Sequence, residues 1–147
     1  MLADLLRRLA GPPRDDLLDP DDARLALAAL MVRISRTDGS YTWAEQARID
    51  AMLATRYGLA TDAAARVRRE AELAEAAAQD TVQFTRLIKD AVPYEERIGV
   101  VEVLWGIAAT DGINADAQGF MRLVANLLGV SDQDSALARQ RVLRGER

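Results

Sequence analysis

Histidine and cysteine are both missing from this chain of 147 residues, and most reaction chemistry goes with them. Without Cys there is no disulfide, no thiolate nucleophile and no sulfur ligand for a metal. Without His there is no imidazole base and no imidazole ligand. A metal would have to be held by oxygen, from Asp, Glu, Asn, Gln, hydroxyls, backbone carbonyls and water. Such a donor set suits Ca²⁺, Mg²⁺ or Mn²⁺. No general base, activated nucleophile or phosphate-binding loop can be named, so the chain is not expected to be an enzyme.

Other shortages narrow the fold and the setting. Aromatics make up only 5% of residues, so the core must rely on close helix–helix contact rather than on large rings. Alternating Val/Thr/Tyr runs bounded by turn residues are nearly absent, which argues against strands. No apolar run approaches the roughly 18 residues of a membrane-spanning helix. The first ten residues carry their charges inside the apolar stretch, unlike a signal peptide. A cytoplasmic location follows by default. The net charge of −4 and the pI near 4.9 argue against a nucleic-acid partner, which calls for a basic face. All but one of the 19 basic residues are Arg, but they are scattered among acids as on a salt-bridged surface.

What the chain does have is a duplication. Thr37-Asp38-Gly39-Ser40-Tyr41-Thr42-Trp43-Ala44-Glu45 has a partial copy in Thr110-Asp111-Gly112-Ile113-Asn114-Ala115-Asp116. Each copy follows an apolar segment that reads as a buried helix, and each leads into an amphipathic run ending Tyr57-Gly58-Leu59 or Leu128-Gly129-Val130. The pattern is helix, Asp-Gly turn, helix, twice over.

Taken in order, residues 2–10 read as a short amphipathic helix, with Leu2, Leu5, Leu6 and Leu9 against Arg7 and Arg8, closed by Gly11-Pro12-Pro13. Packing on its own domain is expected of it rather than membrane contact. With the polar loop up to residue 19 it forms an N-terminal appendage, and 20–144 form the helical domain. Asp19-Pro20-Asp21-Asp22 opens the first central helix, about 21–37, with an N-cap, an N1 proline and acids in the first turn. Thr61-Asp62 is expected to cap a helix with a small-residue face, Val67, Ala71, Ala74 and Ala78. A second connecting helix, about 81–91, is expected to turn Val82, Phe84, Leu87 and Ile88 inward. Pro93 then opens the second central helix, about 94–110. Asn114 should cap residues 115–128, and the last helix should run over roughly 132–143. Trp43 and Trp105 both read as packing residues. The fold expected is all-α, a single-domain bundle of about seven to eight helices with an internal pseudo-repeat.

The acidic turns carry the candidate chemistry. Asp38 stands where a carboxylate faces the negative end of a helix dipole, which costs roughly 0.3–1 kcal/mol. Either an Asx-type bond to the turn's backbone or a bound cation should compensate. Thr42 with Glu45 three residues on makes a capping box, so Glu45 has a structural role whether or not it binds a metal. The Asp-Gly…Glu spacing also mimics part of an EF-hand loop, but Ile34 and Arg36 would occupy its first and third positions, which rules that out.

Leu104-Trp105…Ala108…Asp111-Gly112 followed by Val124 to Ser131, and Thr37-Asp38-Gly39…Glu45…Arg48-Ile49…Arg56 to Leu59 in the first half, resemble the TerB-like (tellurite-resistance TerB) family over about residues 22–143. The resemblance implies an all-α fold with a pseudo-repeat, acidic residues suspected of binding divalent metal, and an association with tellurite resistance and stress responses. It implies no enzymatic activity. Asp38, Glu45 and Asp111 match the family's acidic turns. The family pattern would place a Glu at 106 and an acid at 118, where this chain has Gly106 and Gln118, and its second turn is about one residue short. Asp116 is the candidate replacement.

Two classes of function follow. In one, Asp38, Glu45, Asp111 and Asp116 converge on a weakly held divalent cation, which requires the two central helices to bring their C-termini together. In the other, the acidic residues are helix caps and the chain is a metal-free interaction domain with a protein partner. Tellurite reduction by the chain itself has no thiol to supply electrons.

Overall fold

A computed structural model of the protein describes residues 20–145; the expected helix over 2–10 and its loop lie outside them. Seven α-helices follow one another: α1 (Pro20–Ser35), α2 (Trp43–Tyr57), α3 (Thr61–Ala77), α4 (Val82–Ala91), α5 (Tyr94–Ala108), α6 (Ala115–Leu127) and α7 (Asp132–Leu143). A 3-10 turn, Ala109–Asp111, extends α5, and no strand occurs among the described residues. The fold is all-α, as expected.

The two apolar segments become the inner helices. Between Leu25 and Ile34, every residue of α1 except the half-buried Arg33 is at most 2% exposed. A helix apolar all round can only be stable with neighbours on every side, and α1 packs against α2, α3, α4 and α5. Its closest partner is α3, whose Ala64, Ala71 and Ala74 are fully buried, so small side chains let the two backbones approach. Val100, Val101, Leu104 and Trp105 anchor α5 in the same core, and α7 packs along it. There the Trp105 indole N–H donates to Ser135 Oγ at 3.1 Å, giving the buried ring the partner it needs.

Local signals decide most ends. Gly58 (φ 64°) and Gly129 (φ 72°) take the left-handed conformation after α2 and α6. Leu59 N then donates to Ala54 O, and Val130 N to Ala125 O, which ties off both helices in the same way. Three expectations fail. The start of α3 has Ala60 at its N-cap and no side-chain cap, with Thr61 already helical. Val82 is 38% exposed and Trp43 is 84% exposed. The inward face of α2 carries Glu45, Ile49 and Leu53; Trp43 precedes Glu45 by two positions, which at about 100° per residue puts it on the opposite side.

One clamp has no local sequence signal. Arg33, near the end of α1, donates to Glu75 Oε2 (3.1 Å), to the Glu75 and Ala78 carbonyls (3.0 and 2.9 Å) and to Thr81 Oγ1 (3.3 Å). It thereby satisfies carbonyls left open at the C-terminus of α3, and its guanidinium lies 5.6 Å from the Phe84 ring centroid. No helix among the described residues is long and apolar enough to cross a membrane.

Candidate functional site

The central helices end side by side, and their two turns face each other. A cavity of about 20 Å³ lies between them, lined by Ile34, Ser35, Thr37, Asp38 and Glu45 of the first half and Ile107, Ala108, Gly112, Asn114 and Ala117 of the second. That is space for one water-sized occupant, for which roughly 10–15 Å³ suffices. The turns are built alike. Gly39 (φ 84°) donates to Arg36 O, and Gly112 (φ 83°) to Ala109 O. Thr37 Oγ1 donates back to Ile34 O, and Thr110 Oγ1 to Gly106 O.

In the first turn both acids are engaged locally. Asp38 is exposed, and its Oδ1 accepts from Ser40 N (3.0 Å) and Ser40 Oγ (3.1 Å). This is the Asx-type bond that offsets its position at a helix C-terminus. Glu45 is 6% exposed. Its Oε1 accepts from Thr42 N at 2.7 Å, while Glu45 N donates to Thr42 Oγ1 at 3.1 Å, completing the capping box. Each bond occupies one carboxylate oxygen and leaves the other outside the local motif.

Tyr41 fixes this turn to the body of the domain. Its hydroxyl donates to Glu72 Oε2 at 2.6 Å, and Glu72 also accepts from Arg68, whose Nε donates to Asp50 of α2 at 2.7 Å. Burial and the bond to Glu72 push the Tyr41 phenol well above its ordinary value. Burial opposes the charge on Arg68, but its bonds to Asp50 and Glu72 outweigh that and hold it above its usual range.

The second turn departs from the first by one residue. Asn114, the expected N-cap of α6, accepts from Ala117 N at 2.7 Å. Counted from the caps, Ala117 therefore occupies the place of Glu45, and it faces the cavity at 3% exposure. Asp116 and Gln118 flank it, both exposed and neither among the cavity-lining residues. The backbone of Asp111 closes the 3-10 turn beside the cavity; its side chain lies outside the described part of the structure. Of the four candidate ligands, the structure brings Asp38 and Glu45 together and leaves Asp116 on the surface. Among the described residues no three acidic side chains cluster as a metal site. Two carboxylates fall short of the several rigid carboxylates that a tight hard-cation site uses.

Sequence reasoning missed two features. The alanine at the counterpart of Glu45 was signalled only by the short second turn. The other is a groove of about 630 Å³ over α5, between α2 and the end of α7; its one sequence trace is the pair Gly99 and Gly106, two helical turns apart on α5. A family described as Tellurite resistance protein TerB has a model that matches residues 24–140. No curated protein and no solved structure matches the chain.

Proposed function

Because the chain belongs to the TerB family, we propose that it is a non-enzymatic helical binding module whose facing turns weakly hold one hard divalent cation. The supporting observation is the ion-sized cavity on which Asp38 and Glu45 both lie, with Ser35, Thr37 and Asn114 as further oxygen carriers around it. The seat is one-sided, because Ala117 stands where a second glutamate would complete it. Two carboxylates of four expected place the affinity among weak calcium sites, with Kd roughly 10⁻⁴–10⁻³ M.

A second reading is favoured by the hydrogen bonds themselves. The Asx bond of Asp38 and the capping box of Glu45 are complete without an ion, and the turns then serve as caps in a metal-free interaction domain. Exposed Trp43, next to the turn, is the kind of side chain that anchors protein contacts.

Calorimetry with Ca²⁺, Mg²⁺ and Mn²⁺ separates the two. The cation reading expects weak heat from the wild type, none from Asp38→Asn, an unchanged signal from Asp116→Asn and tighter binding by Ala117→Glu. Absence of heat at millimolar cation, with Asp38→Asn merely lowering stability, favours the caps.

A further inference from the structure

The groove over α5 lies apart from the facing turns and is built differently. Gly99 and Gly106 lower its floor: a Cβ on Gly106 would sit 3.0 Å from Met52 Cε, and one on Gly99 would sit 3.6 Å from Arg56 Nη1. Met52 and Arg56 of α2 therefore reach across onto α5 where side chains are missing. Val103 adds apolar floor and Val142 of α7 the far wall.

Its charge is unlike that of the chain. Arg48 and Arg56 both line the groove, and neither has a carboxylate within ion-pair distance among the described residues. The acid in the lining, Glu102, is already paired, accepting from Arg141 Nε at 3.0 Å. Among the described residues, a protein with net charge −4 thus places two guanidiniums without ion-pair partners on the bank of a groove lined by both apolar and polar side chains. A volume of about 630 Å³ falls within the roughly 300–1,000 Å³ of small-molecule sites, which combine an apolar lining with a few placed polar groups. Guanidiniums favour carboxylates and other oxyanions through charge-assisted, forked hydrogen bonds.

We propose that this groove binds an amphiphilic organic anion, its acidic head on Arg48 and Arg56 and its apolar body along Met52, Val103 and Val142. Head and body are both required. A bare anion gains too little from two arginines that water also reaches, and an uncharged chain leaves them unused.

The test follows the fluorescence of 8-anilinonaphthalene-1-sulfonate on the full chain and its displacement by octanoate, with acetate and 1-octanol at the same concentration as the head-only and body-only arms. Octanoate should displace the dye, and the other two should not. The double variant Arg48→Ser/Arg56→Ser should weaken dye binding about tenfold or more. Thr55→Trp, which fills the groove from an exposed position on α2, should do the same with both arginines intact. Helix content and melting temperature report that each variant folds, and the displacement series on the wild type stands without them. Displacement by acetate or 1-octanol as effective as by octanoate overturns the proposal. So does dye binding that survives both variants. Sedimentation showing a dimer that Thr55→Trp dissolves would assign the groove to a second copy and equally overturn it.

Discussion

Glu45→Gln and Glu45→Ala separate the cap from the cation. The wild-type carboxylate accepts from Thr42 N at 2.7 Å and lies in the first turn of α2, near the positive end of the helix dipole. Gln keeps a carbonyl acceptor of the same reach and loses the charge, a change of roughly 0.3–1 kcal/mol. Ala loses both the bond and the charge, about 1–2 kcal/mol for a cap whose donor water can still reach. At about 2–4 °C per kcal/mol for a chain of this size, the melting temperature should fall by about 2–8 °C in Ala and by about 1–4 °C in Gln, with the smaller fall in Gln, both without added metal. Calcium should treat the two variants alike. A cation at about ten times its Kd adds about 1.4 kcal/mol to the wild type, and both variants should lose that increment. Thermal unfolding by circular dichroism, with and without millimolar Ca²⁺, reads all of this. A Gln variant as unstable as Ala would show that the capping bond is not what Glu45 supplies. A Gln variant that keeps the calcium increment would remove Glu45 from the cation seat.

Three further outcomes follow. Leu30→Ala and Leu104→Ala, at positions with no exposure, should each cost about 2–5 kcal/mol in urea unfolding; a loss under 1 kcal/mol would contradict their central place. Arg33→Ala leaves Glu75 with only its ion pair to Arg36 at 3.3 Å and takes the donor from the Glu75 and Ala78 carbonyls at the end of α3, and should cost about 1–3 kcal/mol; a neutral result would show that water and Arg36 replace the clamp. Tyr41 has its phenol raised in the fold, so its contribution is fully present below the unfolded value of about 10 and is lost as pH rises beyond it. Wild-type stability should therefore decline above that pH, and Tyr41→Phe should show a shallower decline.

What was legible in the sequence is what acts over a few residues. The capping box of Thr42 and Glu45, the cap of Asn114 and the glycines after α2 and α6 lie within four or five positions of the groups they satisfy, and each appears where expected. The two inner helices were equally readable, because a helix apolar on all sides has nowhere to go but the middle. Arg33 was not: its partners lie 42 to 48 positions away, and no local pattern marks them. Trp43 faces solvent because its register relative to Glu45, Ile49 and Leu53, not its apolar character, sets the side of α2 it occupies. Half of the candidate site was legible, since Asp38 and Glu45 announce themselves in one turn. The other half turned on a second turn one residue shorter than the first, Asp111 to Asn114 against Asp38 to Thr42, which puts Ala117 on the cavity and Asp116 and Gln118 out in solvent.

Anomalous diffraction from crystals soaked in Mn²⁺ tests the facing-turn seat most directly, because manganese is a hard ion that marks its own position. A peak inside the cavity, within coordinating distance of Asp38 and Glu45 carboxylate oxygens, is the expected result, and Ala117→Glu should strengthen it. Peaks confined to surface acids such as Asp116, with the cavity holding water, would contradict it.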